Sequence, residues 1–291
     1  MAKHKAERTH TPQEEQPSYQ AQPRVAVIIP AKDEADRIEA TVTAARQIPY
    51  VDLVVVVDDG SSDGTANAAR AAGAKVVVHK RNYGKAAAMQ SGASAVNTYE
   101  TRFEQGRKPE DPRRALLFID ADLGETALAC APLVEPVVAG KADFTIAYLP
   151  PQEGAGGFGF VTGLGHKVIQ QLTGWSCQQP LSGQRCLSRA AYEAALPFAP
   201  GWGVEVGMSI DLLVAGYTVQ EVACELKHRA TGNDLRGYVH RADQYKDVLR
   251  AALVRRMRGV RVPPEKRVLA ASGEPYGGAT GEPFNAWRAI S

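Results

Sequence analysis

Residues 118–126 read FIDADLGET. An apolar run ends at Ile119, and two aspartates, Asp120 and Asp122, follow with only Ala121 between them. Like charges so close repel one another, so the pair calls for a compensating group. A divalent cation supplies one, because hard cations take carboxylate oxygens and bridge them to the phosphates of a substrate. A single aspartate after a strand reads as a helix cap. Two at alternate positions, with other acidic strand ends nearby, favour a metal. Similar polar clusters recur elsewhere: Lys32-Asp33-Glu34, Asp58-Asp59 and Gly84-Lys85. Lys85, directly after a glycine that opens a helix, is placed to meet an anionic group such as phosphate.

Each cluster must be carried by an element. The run from Val25 to Ile29, rich in β-branched residues and closed by Pro30, predicts a buried strand. EADRIEATVTAARQI has apolar residues at helical spacing. A second strand centres on Val54 to Val57, and SSDGTANAARAAGA opens on cap residues and ends on Gly73, as a helix does. KVVVHK predicts a third strand, GKAAAMQSGASAV a third helix and RRALLFIDAD a fourth strand. This β-α-β-α-β-α-β order predicts an α/β fold, a mostly parallel, Rossmann-like sheet flanked by helices. Ligands of such sheets sit at the carboxyl ends of the strands, which is where every polar cluster falls.

The second half is less periodic and predicts an α+β, acceptor-side half. The polar stretch 98–114 predicts an exposed excursion, and the glycine-rich stretch 152–165 predicts a mobile lid or acceptor loop. Residues 238–261 predict a basic amphipathic helix. It rests on anionic lipid, or else it docks on the domain or makes a dimer contact, and the latter pair is the favoured reading. The expected organisation is a disordered tail over 1–22, one domain over 23–267 and a disordered tail over 268–291. The domain divides into a nucleotide-binding half (23–125) and an acceptor half (126–267).

Composition narrows the class. The 291 residues are 44% hydrophobic and 23% charged, values of a globular protein with a sizeable core. A formal net charge of +2 argues against nucleic acid as a partner. No apolar run reaches the ~20 residues that cross a bilayer. The four cysteines, Cys130, Cys177, Cys186 and Cys224, have no C-x-x-C spacing and read as reduced thiols of a cytoplasmic protein. Cys224 with His228 is a weak metal pair. GAGGFG at 154–159 matches a dinucleotide-binding pattern but follows two prolines rather than a strand, so it is rejected, and no phosphate-binding P-loop is present.

VIIPAKDE, VVDDGSSDGT, NYGKAAAMQSG and FIDADLG, in this order, resemble the nucleotide-sugar-dependent glycosyltransferases of GT-A fold, family-two type. The resemblance implies that Pro30, Ala31 and Glu34 line a nucleoside pocket and that Asp59 hydrogen-bonds a uracil-type base. It places Gly84 and Lys85 at the nucleotide and its phosphates. Asp120 and Ala121 would lie at the ribose and metal, with Asp122 a ligand of Mg2+ or Mn2+. Lys85 and the cation would then stabilise a leaving diphosphate.

The stretch from QQPLSGQRC to ELKHRATGND resembles glucosyl-3-phosphoglycerate synthases, retaining enzymes with a nucleotide-glucose donor. That resemblance places Glu205 at the sugar and makes His228 the remaining metal ligand. There is one departure. The synthases carry an arginine-rich acceptor loop after the fifth strand, whereas YLPPQEGAGGFGF has no arginine. An anionic acceptor would lack its bidentate clamp there, and Arg185, beside Gly183 in SGQR, is the substitute candidate. Arg185 has an equal reading as a structural ion-pair residue.

The expected activity is therefore transfer of a hexose from a UDP- or GDP-linked donor to a small-molecule or lipid-phosphate acceptor. An inverting route needs a carboxylate base, for which Glu205 and Asp211 are the candidates, while the synthase resemblance implies retention. A polyprenyl-phosphate glycosyltransferase, peripheral at the inner membrane face, is the nearest alternative, and a homodimer is compatible with either. From other classes, a nucleotidyltransferase lacks its glycine-rich opening loop here. A non-catalytic nucleotide-sugar-binding protein would be expected to have lost Asp120, Asp122 or His228.

Overall fold

The apolar runs of the first half become β1 (Val25–Ala31), β2 (Val51–Asp58), β3 (Lys75–Val78) and β4 (Ala115–Phe118). β1 pairs in parallel with β2 and with β4, and β2 with β3. In this computed structural model the described residues are 22–104, 112–148, 160–226, 235–267 and 276–277. Four further strands, β5 (Phe144–Tyr148), β6 (Arg185–Leu187), β7 (Thr218–Ala223) and β8 (Tyr276–Gly277), complete one sheet of order β3-β2-β1-β4-β6-β5-β7-β8. β6 runs antiparallel to both β4 and β5, so the sheet is mixed in its second half, and β5 and β7 are parallel again. One sheet thus runs through both halves of the chain.

The alternation of side chains along β1 assigns two cores. Val25, Val27 and Ile29 face α1 (Ala35–Ala45) and a 3-10 segment over Ala121–Leu133, where Ile38, Val42, Leu123 and Leu133 are buried. Ala26 and Ile28 face the opposite layer, shared by α3 (Lys85–Phe103), α5 (Phe160–Thr173) and α7 (Val204–Val214). α2 (Thr65–Ala71), α4 (Glu135–Val138) and α6 (Arg189–Ala194) are short connectors, and α8 (Leu235–Met257) packs on α5 and α7. Gly92 lets α3 lie close to the sheet, since a Cβ there would stand 2.4 Å from Ile28 Cγ2.

Several expectations change. α3 continues to Phe103, so the polar excursion begins later than expected, and 105–111 lie outside the described residues. Its last turns are held by charge. Glu100 is buried and takes Arg114 and Arg189, and Arg24 and Arg114 both reach Glu104. The stretch 152–165 is not wholly a loop, because α5 starts at Phe160. Ile169 and Leu172 bury its inner face, and 149–159 lie outside the described residues.

The carboxy-terminal stretch contributes an edge strand, β8, to β7. Tyr276 drives this pairing. Its ring stacks on Trp175 at 6.4 Å and its hydroxyl donates to Thr173 O at 3.2 Å. The rest of 268–291 and residues 1–21 lie outside the described residues. α8 docks through Val248, Ala251, Ala252 and Arg255, all buried.

Candidate functional site

At the carboxyl ends of β1 and β2, two loops are tied together by their own side chains. Asp33, at φ +54°, accepts from Ser62 N at 2.7 Å and returns its own N–H to Ser61 Oγ at 2.9 Å. Glu34 N donates to Thr65 Oγ1 at 2.9 Å, and Ala35 N to Asp63 Oδ2 at 3.1 Å. The KDE and DGSSDGT clusters are therefore tied into one structure by their own side chains. Pro30 is half-buried in β1, Ala31 is buried, and Ala31 O accepts from Asp59 N at 2.8 Å.

Asp59 is 5% exposed, and both its oxygens order the next loop. Oδ1 takes Tyr83 N at 2.8 Å and His79 Nδ1 at 2.7 Å, and Oδ2 takes Gly84 N at 2.7 Å. The far side of the imidazole, Nε2, meets Ser91 Oγ on α3 at 2.9 Å. Asp59 thereby positions Gly84, the residue that opens α3 with φ +89°.

Lys85, the first residue of α3, points back across the strand ends. Its Nζ lies 2.8 Å from Asp120 Oδ1 and 3.1 Å from Glu205 Oε1, and 5.9 Å from the centre of the Trp202 ring. Asp120 comes from the end of β4, while Glu205 stands in the first turn of α7. Burial disfavours the Lys85 ammonium, but the Asp120 and Glu205 carboxylates outweigh it and hold its pKa above that of an ordinary lysine. The other Asp120 oxygen accepts from Gln184 Nε2 at 2.7 Å. Gly183 closes this cluster. A Cβ there would stand 2.5 Å from Lys85 Nζ and 2.8 Å from Asp120 Oδ2, so any larger residue would have to displace the ion pair.

Asp122 is half-buried one residue beyond Ala121. The backbone of this turn is held from below by Thr41 of α1, which is fully buried. Its hydroxyl donates to Ala121 O at 2.8 Å and accepts from Gly124 N at 2.8 Å, where Gly124 breaks the 3-10 segment at φ +56°. Among the described residues no three of His, Cys, Asp and Glu gather as a complete metal shell. His228 lies outside the described residues. Asp120 and Asp122 still suit a hard cation, since both are oxygen donors at one strand end. Mg2+ commonly takes only one or two protein carboxylates and completes its shell with phosphate and water.

Two candidates must be corrected. Arg185 is fully buried and cannot touch an acceptor. Its guanidinium donates to Ser182 O at 2.8 Å, Glu205 O at 2.9 Å, Pro180 O at 3.1 Å and Ser209 Oγ at 2.9 Å. It ties the loop before β6 to the start of α7, and burial lowers its pKa to about 10, offset in part by Glu205. Asp211 is not placed to serve as a base. It is 5% exposed and both oxygens accept from Arg255 of α8, Oδ1 from Nε at 2.8 Å. Sequence reasoning missed Gln184, Trp202, His79 and Thr41. The first two flank candidates already marked, but nothing in the pattern of Thr41, inside an amphipathic helix, points to a strand end 80 residues away.

Residues 26–160 match the family described as Glycosyl transferase family 2. The match covers a little under half of the 291 residues. The fold of the chain is that of the GT-A glycosyltransferases. A crystal structure of glucosyl-3-phosphoglycerate synthase from Mycobacterium tuberculosis with Mg2+ and UDP aligns with a TM-score of 0.61 at 26% identity, over 80% of this chain and 79% of that one. The same enzyme with phosphoglyceric acid aligns with a TM-score of 0.61 over 80% of each chain. The curated synthase from M. tuberculosis H37Rv is 28% identical over 210 residues, 64% of this chain. The match spans 60% of that relative's length.

Proposed function

We propose that this protein is a metal-dependent hexosyltransferase that uses a UDP-linked donor. The observation that carries the reading is the convergence at the carboxyl ends of the sheet of Lys85 and Asp120, inside the span that matches Glycosyl transferase family 2, with Gln184 and Glu205 from beyond that span. UDP is favoured over GDP because a synthase at 26% identity binds UDP with Mg2+.

The pre-tied loops over 33–35 and 61–65, with Glu34, Pro30 and Ala31, form the nucleoside wall, and Asp59 supports it from behind by fixing the loop over 83–84. Lys85 and the Gly84 backbone meet the diphosphate. Asp120 and Asp122 would hold Mg2+ or Mn2+, which would supply charge neutralisation of the leaving diphosphate, and His228, outside the described residues, is the further ligand that the resemblance implies. Lys85 balances two carboxylates, and the same ammonium is placed to face donor phosphate oxygens, whose charge grows during transfer. Glu205 then stands at the hexose, within reach of a sugar hydroxyl or the reacting centre.

The acceptor is a small molecule bearing a hydroxyl or phosphate. The arginine-free stretch 148–160 and the burial of Arg185 argue against a phosphoglycerate clamp of the synthase kind. Four buried thiols fit a cytoplasmic enzyme.

The test is calorimetric titration with UDP, GDP, UDP-glucose and GDP-mannose, each with and without Mn2+. Metal-dependent binding of UDP and UDP-glucose, lost in Asp122→Ala with the fold retained, is the expected result. No metal-dependent binding of any of the four would overturn the reading.

A further inference from the structure

α8 has two unlike faces. Val248, Ala251, Ala252 and Arg255 are buried against the domain. On the outward side, Tyr245, Leu249, Leu253 and Met257 follow one another at four-residue intervals and are 41%, 37%, 46% and 79% exposed. Such spacing places them along one stripe of the helix. Lys246 and Arg250 are exposed beside this stripe, Arg256 flanks it, and Asp243 is the one described acid exposed on that side. A four-residue apolar stripe framed by cations is the pattern of a helix that lies in a lipid headgroup layer.

We infer that the outward face of α8 docks on an anionic bilayer surface. Charge selects this occupant. An isologous contact with a second copy would gather the Lys246 and Arg250 side chains of both copies along one seam, whereas anionic headgroups attract both. The apolar stripe would in turn find nothing to bury it on a nucleic-acid backbone. The helix lies on the surface and does not span it, since among the described residues no helix is long and apolar enough to cross a membrane.

The placement also bears on the candidate site. Asp247, on the flank of α8, accepts from Trp202 N at 3.1 Å, and Trp202 lies over Lys85. A protein seated by α8 would hold the rim of that site near the membrane. The docking inference itself stands independently of the donor assignment.

The test is co-sedimentation of the full chain with phosphatidylcholine vesicles, with and without phosphatidylglycerol, at low and high salt. The variants are Lys246→Glu/Arg250→Glu and Leu253→Gln/Met257→Gln, all at exposed positions, with circular dichroism to confirm folding. The native chain is expected to pellet with phosphatidylglycerol vesicles at low salt and to release at high salt. Each double variant should lose at least about tenfold in partitioning. No binding of the native chain to anionic vesicles would overturn the inference, as would unchanged binding by both variants. It would equally be overturned by a native dimer that the Leu253→Gln/Met257→Gln variant converts to monomers.

Discussion

Replacing Thr41 by valine tests how α1 supports the Asp120–Asp122 turn. Valine keeps the volume and the branched shape, so the packing around the site changes little. What goes is the hydroxyl, which is fully buried and joins Ala121 O and Gly124 N, each at 2.8 Å. The net worth of a hydrogen bond is about 1 kcal/mol, but each buried donor or acceptor left unpaired costs about 1–3 kcal/mol. Gly124 is only half-buried, so water can reach its N–H and the lower part of that range applies there. The expected destabilisation is about 2–4 kcal/mol.

The assay is urea unfolding followed by circular dichroism, run beside a Mn2+-dependent UDP titration at a temperature where the variant is folded. The second readout separates support of the site from plain stability. A loosened turn should lower metal-dependent UDP affinity, and a purely structural role would leave it unchanged. A destabilisation below about 0.5 kcal/mol, the level of an ordinary surface change, together with native UDP affinity would refute the reasoning.

Lys85→Met should weaken metal-dependent UDP binding by about 10- to 100-fold, the equivalent of one charge-assisted hydrogen bond or ion pair, and equal affinity by calorimetry would contradict the role given to Lys85. Asp211→Asn should destabilise the fold by about 3 kcal/mol, as breaking a buried ion pair does. Its UDP affinity should stay native, so a selective loss of turnover in a stably folded sample would restore Asp211 as a base. The four thiols are buried, and burial pushes the pKa of Cys177 and Cys224 up to about 12 and those of Cys130 and Cys186 above the ordinary thiol value. An aromatic disulfide reagent at pH 8 should label none in the native protein and all four after unfolding.

The first half of the fold was legible because its signals are local. The apolar runs Val25–Ile29, Leu53–Val57 and Leu116–Ile119 bury both faces in the inner strands β1, β2 and β4, while KVVV becomes the edge strand β3. The polar residues that close each run then sit at the strand ends whatever the rest of the chain does. That is why Lys85, Asp120 and Asp59 fall where their sequence neighbourhoods place them. The second half was legible through resemblance more than through period. β6 is only three residues long and antiparallel, and α5 begins inside a glycine-rich stretch that reads as loop. Tyr276 joins the sheet because Trp175 is there to stack on, a contact a century of residues away that no local pattern announces.

Residue type and spacing by themselves determined the parallel α/β core, the site at its carboxyl edge and the paired aspartates that ask for a cation. Only the tertiary structure decided which charges serve that edge. Lys85 and Glu205 meet across 120 residues at 3.1 Å, while Arg185 and Asp211, equally polar in the sequence, are turned inward to Ser182, Glu205 and Arg255. The physical reason is burial. A charge removed from water must find its partners inside the protein, and the chain's crossings, not its spacing, set whether a side chain ends in the cleft or among those partners.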